Sequence, residues 1–306
     1  MAFFPEGILY DTRENQLSLR NAASLQECIQ NQKIVEARAL LCDSQHNLFV
    51  DLHCMRGMIP REEGAIGIRE GVTRDIAMIS RVNKPVCFVV NSITEDRDGR
   101  PLALLSRKRA QEICMESYIS HLTSGDVIPA RVTHLEPFGC FVDIGCGIPS
   151  LIPIDAISVS RIAHPQDRFS VGQNIYAVIK SIESGKICLS HKELLGTWKQ
   201  NAEFFVPGET VAGIIRSIED YGIFVELTPN LAGLAERKDG IKVGQQASVY
   251  IKSLIPEKMK VKLIIVDAFS AAYQHNEYPY FIREGHIDCW QYSPPESEKL
   301  IVSRFE

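Results

Sequence analysis

The chain has 306 residues, enough for two or three domains. Hydrophobic residues make up 45% and charged residues 23%, the range of a globular protein rather than of a disordered or fibrous one. A net charge of −5 argues against a protein that coats nucleic acid by charge alone, so any such binding has to rest on local groups and stacking.

The longest apolar runs, such as Val86–Val90 and Leu263–Val266, are too short to span a bilayer. The opening MAFFPEGILYD lacks a basic start followed by an apolar stretch of signal-peptide length. The expectation is therefore a cytoplasmic protein with no membrane partner. The nine cysteines stand alone, with no CxxC pair, and are expected to be reduced thiols, several of them on the core faces of strands. No metal site and no cofactor is expected.

In chain order, Asp11–Ala23 and the amphipathic stretch Ser24–Ile29 come first, with Ser24 as N-cap and Glu27 three residues on. Lys33 opens a run of β-type residues that contains His46-Asn47-Leu48-Phe49-Val50-Asp51-Leu52 and then Gly57-Met58-Ile59-Pro60. A longer insert, Glu62–Asn83, precedes two more strands within Lys84–Lys108. Ser106–Leu122 reads as a helical linker.

The next two segments repeat one another in order. Each has a Gly-acid entry, a β-rich run and an aromatic-Gly-x-Phe-Val unit. The unit reads Phe138-Gly139-Cys140-Phe141-Val142 in the first and Tyr221-Gly222-Ile223-Phe224-Val225 in the second. A Gly/Pro-rich turn, a Val-Gly-Gln and two closing strands follow in both. The Lys33–Lys108 region is a worn third copy, in which His46 replaces the first aromatic and Asn47 the glycine, asparagine still tolerating positive φ.

Period-two alternation gives five strands per segment, in the last one roughly Thr210–Ile218, Gly222–Leu227, Gly233–Ala235, Ala247–Ser253 and Lys260–Val266. Five short strands in about 65 residues are too few for a two-sheet sandwich but suit a small closed barrel of the OB type. The expected fold is all-β dominated: three tandem five-stranded OB barrels joined by short helical linkers. The expected domains are 1–123, 124–203, 204–267 and a C-terminal hairpin or tail over 268–306. In that aromatic-rich tail Glu284-Gly285 is expected to turn a hairpin, and Pro294-Pro295 to break the chain before a last strand.

If Val225 and Leu227 fill the barrel, Phe224 shares the outer face with Glu226. Phe141 likewise lies with Asp143, and Phe49 with Asp51, each on the water side. A bulge at Gly222, and at Gly139, is expected to bring Tyr221 and Phe138 onto that same face. Such ring pairs are stacking platforms for bases, each base being worth about 1–3 kcal/mol. The alternative is that the rings pack against a neighbouring barrel or a linker helix.

In these motifs, together with Lys186-Ile187-Cys188-Leu189-Ser190-His191-Lys192, the chain resembles the S1 RNA-binding domain family over Ser124–Lys192 and Val206–Asp267, and more weakly over Lys33–Lys108. The whole chain resembles a short, three-repeat member of the bacterial small-subunit ribosomal S1 family. The resemblance implies single-stranded RNA, including mRNA, as partner. By position it implies Phe138, Phe141 and Lys186 in the middle barrel and Tyr221, Phe224 and Lys260 in the last as nucleic-acid-binding residues. Arg131, Arg216 and Lys252 are weaker candidates.

The resemblance further implies that the worn first repeat, with its insert bearing Arg69, Arg74, Arg81 and Lys84, docks on the small ribosomal subunit. Departures from the family pattern are Pro153 or Glu236 where a histidine often stands, and Leu263-Ile264 in place of Leu-Ser.

Residues 204–267 hold eight Lys/Arg against eight Asp/Glu, and residues 124–199 seven against seven, so binding per barrel is expected to be weak and sequence-tolerant. Three other readings stand beside translation: a regulatory RNA-binding protein that never docks on a ribosome, the RNA-holding subunit of a ribonuclease complex, and a protein-interaction scaffold whose aromatic faces bind peptide. No catalytic residues are expected, since no acidic cluster suits a two-metal site. In GHIDCW, a strand would put His286 and Asp288 on one face and Cys289 on the other, too far apart for nucleophile and base.

Overall fold

The computed structural model describes residues 3–183, 185–271 and 279–305, so residues 272–278 of the aromatic-rich tail lie outside the described residues. The chain opens with α1 (Arg13–Ser18) and α2 (Ala22–Gln30). Asn21, not Ser24, is the N-cap of α2: its side chain accepts from the Ser24 backbone N–H at 2.9 Å, and the Ser24 hydroxyl donates back to it.

The first barrel is built from β1 (Ile34–Cys42), β2 (Leu48–Asp51), β3 (Arg56–Ile59), β4 (Pro85–Glu95) and β5 (Pro101–Ser106), with the one-turn α3 (Ile76–Ile79) in the insert between β3 and β4. The linker α4 (Arg107–Ser117) starts at Ser106, whose hydroxyl accepts from Arg109 N at 2.8 Å. The middle barrel follows with β6 (Val127–Glu136), β7 (Gly139–Asp143), β8 (Pro149–Pro153), β9 (Asn174–Glu183) and β10 (Lys186–Ser190). After α5 (Trp198–Ala202) comes the last barrel, β11 (Thr210–Glu219), β12 (Gly222–Thr228), β13 (Leu231–Ala235), β14 (Gln246–Ile255) and β15 (Lys260–Phe269).

All three barrels close in one order: first, second, third, fifth, fourth strand. In each, the third and fifth strands pair in parallel and close the sheet on itself, which removes the open edges of five short strands. Alternation fills the interiors. Val225, Val249, Ile251, Val261 and Leu263 are buried in the last barrel, and Val50, Val86, Phe88, Ala103 and Leu105 in the first. Three closed OB-type barrels are the fold that period-two reading implies.

The chain divides into two compact units, residues 1–122 with 129–131 and 143–149, and residues 123–128, 132–142 and 150–306. Among the described residues no helix is long and apolar enough to cross a membrane. In the second unit the apolar core of the last barrel is continuous with Trp198 of α5 and with Ile287, Trp290, Tyr292 and Phe305 of the tail. The tail's strands, β16 (Cys289–Gln291) and β17 (Val302–Arg304), pair antiparallel.

Their turn runs through Pro294–Ser297, closed by Ser297 N donating to Pro294 O at 3.0 Å, and not through Glu284-Gly285. That dipeptide instead meets the start of the middle barrel: Val127 N donates to Gly285 O and Ile287 N to Gly125 O. His286 lies 2.7 Å from Asp126 and 3.5 Å from Asp288, while Cys289 is exposed.

The first unit is organised around a buried polar hub. Glu6 pairs with Arg107 at 2.6 Å and Arg81 at 3.2 Å, and its backbone N–H donates to Asp143 at 2.7 Å. Glu36 on β1, wholly buried, accepts from the N–H groups of Gly7 and Tyr10, both at 2.9 Å, and its other oxygen has no partner. Burial, and then the charge of Glu6, push Glu36 up to about 8 and Asp143 up to about 7. Burial acts on Glu6 in the same direction, but Arg107 and Arg81 outweigh it and hold that carboxyl below its ordinary value.

Glu36 and Asp143 bind protons more tightly folded than unfolded. The stability they contribute is complete below the ordinary carboxylate range and is lost as pH rises through about 7 to 8. The unfolding temperature of the native chain should therefore fall as pH is raised over that span, and Glu36→Gln should reduce the fall. Thermal melts followed by circular dichroism decide this, and parallel pH profiles for the two proteins would remove Glu36 from the account.

Candidate nucleic-acid interface

The aromatic-glycine unit builds the same hairpin in the last two barrels. β6 ends at Glu136 and β7 starts at Gly139, leaving Pro137-Phe138 as a two-residue turn. β11 ends at Glu219 and β12 starts at Gly222, leaving Asp220-Tyr221, with Glu219 paired to Gly222. The first ring of each pair therefore sits in the turn and the second on the strand. Phe138 and Phe141 meet edge to face with centroids 6.0 Å apart and planes at 89°; Tyr221 and Phe224 do so at 6.0 Å and 88°.

Both pairs lie outside their barrels. Phe138 is 56% and Tyr221 70% exposed, and Phe141 and Phe224 are half-buried. Such pairs offer open faces to a flat ligand without losing the ring–ring contact.

Gly222 serves a different purpose from the one the alternation suggests. No bulge stands at Gly222. The register slips on the opposite strand, between Ile215 and Ser217, so Arg216 is the extra residue. What excludes a side chain is the third strand: a Cβ at Gly222 would lie 2.6 Å from the Ala235 carbonyl oxygen, and one at Gly139 2.6 Å from that of Ile152. Gly222 also has φ of 148°. In the worn first copy the positive φ, 63°, falls on His46 and not on Asn47.

The acids beside the phenylalanines are not all on the water side. Asp51 is half-exposed, but Asp143 is 3% and Glu226 4% exposed. Asp143 accepts from the N–H groups of Glu6, Gly145 and Gly147. Glu226 is ion-paired with Arg168 and with Arg216, the latter at 2.8 Å. A buried carboxylate needs such partners, and a single strand's pattern does not reveal them.

Each residue implied by the resemblance has a definite place. Lys186 is exposed at the start of β10, opposite Glu183. Lys260 is exposed at the start of β15 and pairs with Ile255. Lys252 is exposed and is the extra residue where β14 slips against β15 between Ile251 and Ser253. Arg131 is half-buried, its guanidinium lying over Gly7 in the first unit. Arg216 departs from the expectation of a surface cation: its side chain is 12% exposed and held by Glu226 and Asp167.

Two residues join the site that the sequence did not single out. Phe224 pairs with Leu234, and Leu234 with Lys262, so the cation level with the ring is Lys262 and not Lys260. It is exposed on the same outer face. The Lys-x-Lys alternation at 260–262 was the available signal. In the middle barrel, His134 on β6 lies 6.5 Å from Phe141, with Nε2 2.7 Å from Glu136. Its signal was a histidine two residues from an acid on one exposed face.

In the first barrel the Arg56 guanidinium stands 4.5 Å over one face of Phe49. Among the described residues no group of three or more His, Cys, Asp or Glu is placed to hold a metal ion.

The fold and the repeated hairpin define a class, a tandem array of OB-type barrels, and residues 121–192 match the family model of the S1 RNA binding domain. Along most of its length the chain is similar to small ribosomal subunit protein bS1. It is 28% identical over 234 residues to that of Leuconostoc lactis, covering 71% of this chain and 52% of the relative. It is 28% identical over 275 residues to that of Staphylococcus aureus, covering 84% and 67%.

The chain thus spans about half to two thirds of the length of these relatives. Both relatives are named as a ribosomal protein. A solved multidomain protein with nucleic acid binding domains from Streptococcus pneumoniae is 13% identical, covering 77% of this chain and 73% of that one at a TM-score of 0.25, too loose a superposition to carry an argument.

Replacing Gly222 by alanine adds a Cβ against the Ala235 carbonyl and strains φ. It should cost about 1–3 kcal/mol, as overpacking does. Urea denaturation of the full chain measures the loss, and an unchanged midpoint would show that the third strand yields there.

Proposed function

We propose that the protein binds single-stranded RNA through the outward ring pairs of the middle and last barrels and acts in translation in the cytoplasm. The observation that carries this is the recurrence of one exposed edge-to-face pair at one hairpin in two barrels, the first inside the segment that matches the S1 RNA binding domain. In this reading Phe138, Phe141 and His134 stack bases in the middle barrel, with Lys186 as cation. Tyr221 and Phe224 do so in the last, with Lys262, Lys260 and Lys252. Arg216 is assigned to the protein's own ion pairs. Arg131 stays a candidate of the middle barrel.

The functional divisions are 1–123, 124–203, 204–267 and 268–306. The association proposed for the first of these is the small ribosomal subunit, on the name of the relatives. Two observations support it: the arginine laid over Phe49, and the insert's exposed Val72 and Ile76, 82% and 61% accessible beside Arg69 and Arg74.

Tyr221→Ala with Phe224→Ala should weaken binding of a single-stranded RNA oligomer, by about 1–3 kcal/mol per base unstacked, with little change in melting temperature. A large loss of stability with affinity kept would make the rings structural. Titration of single- against double-stranded RNA at two salt concentrations tests the reading as a whole: preference for the single strand with a shallow salt slope is expected, and equal binding overturns it. Val72→Asp with Ile76→Asp should abolish co-sedimentation with small ribosomal subunits while RNA affinity stays. Retained co-sedimentation would overturn the docking assignment.

A further inference from the structure

The outer face of β12 carries two residues with different fates. Phe224 remains half-exposed, and Glu226, two positions on, is sealed at the seam between the last and the middle barrel. Arg168 of the middle barrel, 2% exposed, reaches the Glu226 carboxylate and is itself steadied by Ser158 Oγ, 3.2 Å from its Nε. Arg216 closes on the same carboxylate with Nε at 2.8 Å and Nη2 at 3.2 Å, and reaches Asp167 at 3.7 Å.

A second clasp stands beside the first. The wholly buried Asn230, in the turn after β12, accepts from Val159 N at 3.0 Å through Oδ1. Its Nδ2 donates to the carbonyls of Lys192 at 2.7 Å and Gly196 at 2.8 Å. Ser160 N donates to Pro229 O at 3.0 Å, and the tail's Tyr292 hydroxyl donates to Asn230 O at 2.6 Å.

Groups of this kind specify orientation. A rotation of one barrel against the other would strand buried charges and a buried amide without partners, and that loss is steep compared with sliding an apolar contact. Both ring pairs are tied to this seam by short spans. Ile154 N donates to the Phe138 carbonyl at 3.0 Å, and Ile154–Ser160 leads from there to the seam. On the other side the chain runs from Phe224 to Pro229. At about 3.6 Å per residue at most, neither span exceeds about 22 Å.

We propose that Arg168, Glu226 and Asn230 are positioning residues that hold the two ring pairs as one composite site, whose partner is a single RNA strand long enough to cross both. This rests on the RNA-binding reading and deepens it. Flexibly joined barrels would gain from a second contact only through effective concentration, whereas barrels fixed by a seam also avoid the cost of being oriented on binding. The site therefore discriminates by strand length more sharply than two independent modules do.

The test uses the full chain and its double variant Arg168→Met with Glu226→Met, which removes two of the three charges of the clasp and leaves Arg216 to Asp167, 3.7 Å away. Asn230→Ala serves as an independent second variant. Nitrogen-15 relaxation reads whether the two barrels tumble as one body, and titrations use oligouridylates of about 4 and about 24 nucleotides, bracketing the site size of one barrel and of two.

The native protein should tumble as one body across the seam. In the variants the barrels should tumble separately, the short oligomer should bind within twofold of the native affinity, and the long one about tenfold more weakly. Separate tumbling in the native protein overturns the proposal. So does a variant that still tumbles as one body, or one that loses the seam and keeps long-strand affinity. Native protein that binds neither oligomer overturns the RNA reading itself, and the composite site falls with it; the earlier outcomes leave that reading standing.

Discussion

The close approach of the third strand to the second in each of the two later barrels is the constraint on which the site depends. At Gly139 and Gly222 a neighbouring carbonyl oxygen stands where a side chain would begin. Only a residue without Cβ lets the strands close there, and closing there is what makes the preceding hairpin as tight as two residues. A ring placed in that turn has no interior to enter. The exposure of Phe138 and Tyr221 follows from backbone geometry, and their approach to Phe141 and Phe224 follows from the strand's own alternation.

The same arithmetic separates the three barrels. All share strand order and the alternation of core residues, so the interior does not dictate what the outer faces carry. In the last barrel the outer face of β12 is divided between an open ring and a carboxylate sealed by two arginines. In the middle barrel the ring pair extends to His134. In the first, an arginine from β3 lies across the ring. One scaffold thus carries three surfaces, and the differences reside in two or three residues each.

The sequence made the strands legible because period-two alternation is imposed by each barrel's own interior, as Val225, Val249, Ile251 and Val261 illustrate. The repeat made the ring pairs legible for the same local reason. What it hid were facts set by chain segments far apart. Glu226 reads as a surface acid until Arg168, 58 residues away, is brought onto it. Lys260 and Lys262 are indistinguishable on one strand, and only pairing through Leu234 selects the second. The slip at Arg216 belongs to β11, so a reading confined to the glycine strand assigned the irregularity to the wrong partner. The tail turns at Pro294–Ser297 while Gly285 pairs with the middle barrel, a use that its composition does not disclose.

The arginine over Phe49 shows how little a surface costs to change. Because it is a single long side chain on an otherwise intact barrel, the masked state and an open one differ at one position, with no change to the core beneath. A module of this design can expose the ring or cover it by exchange of one surface side chain, while the alternating interior keeps the repeat recognisable.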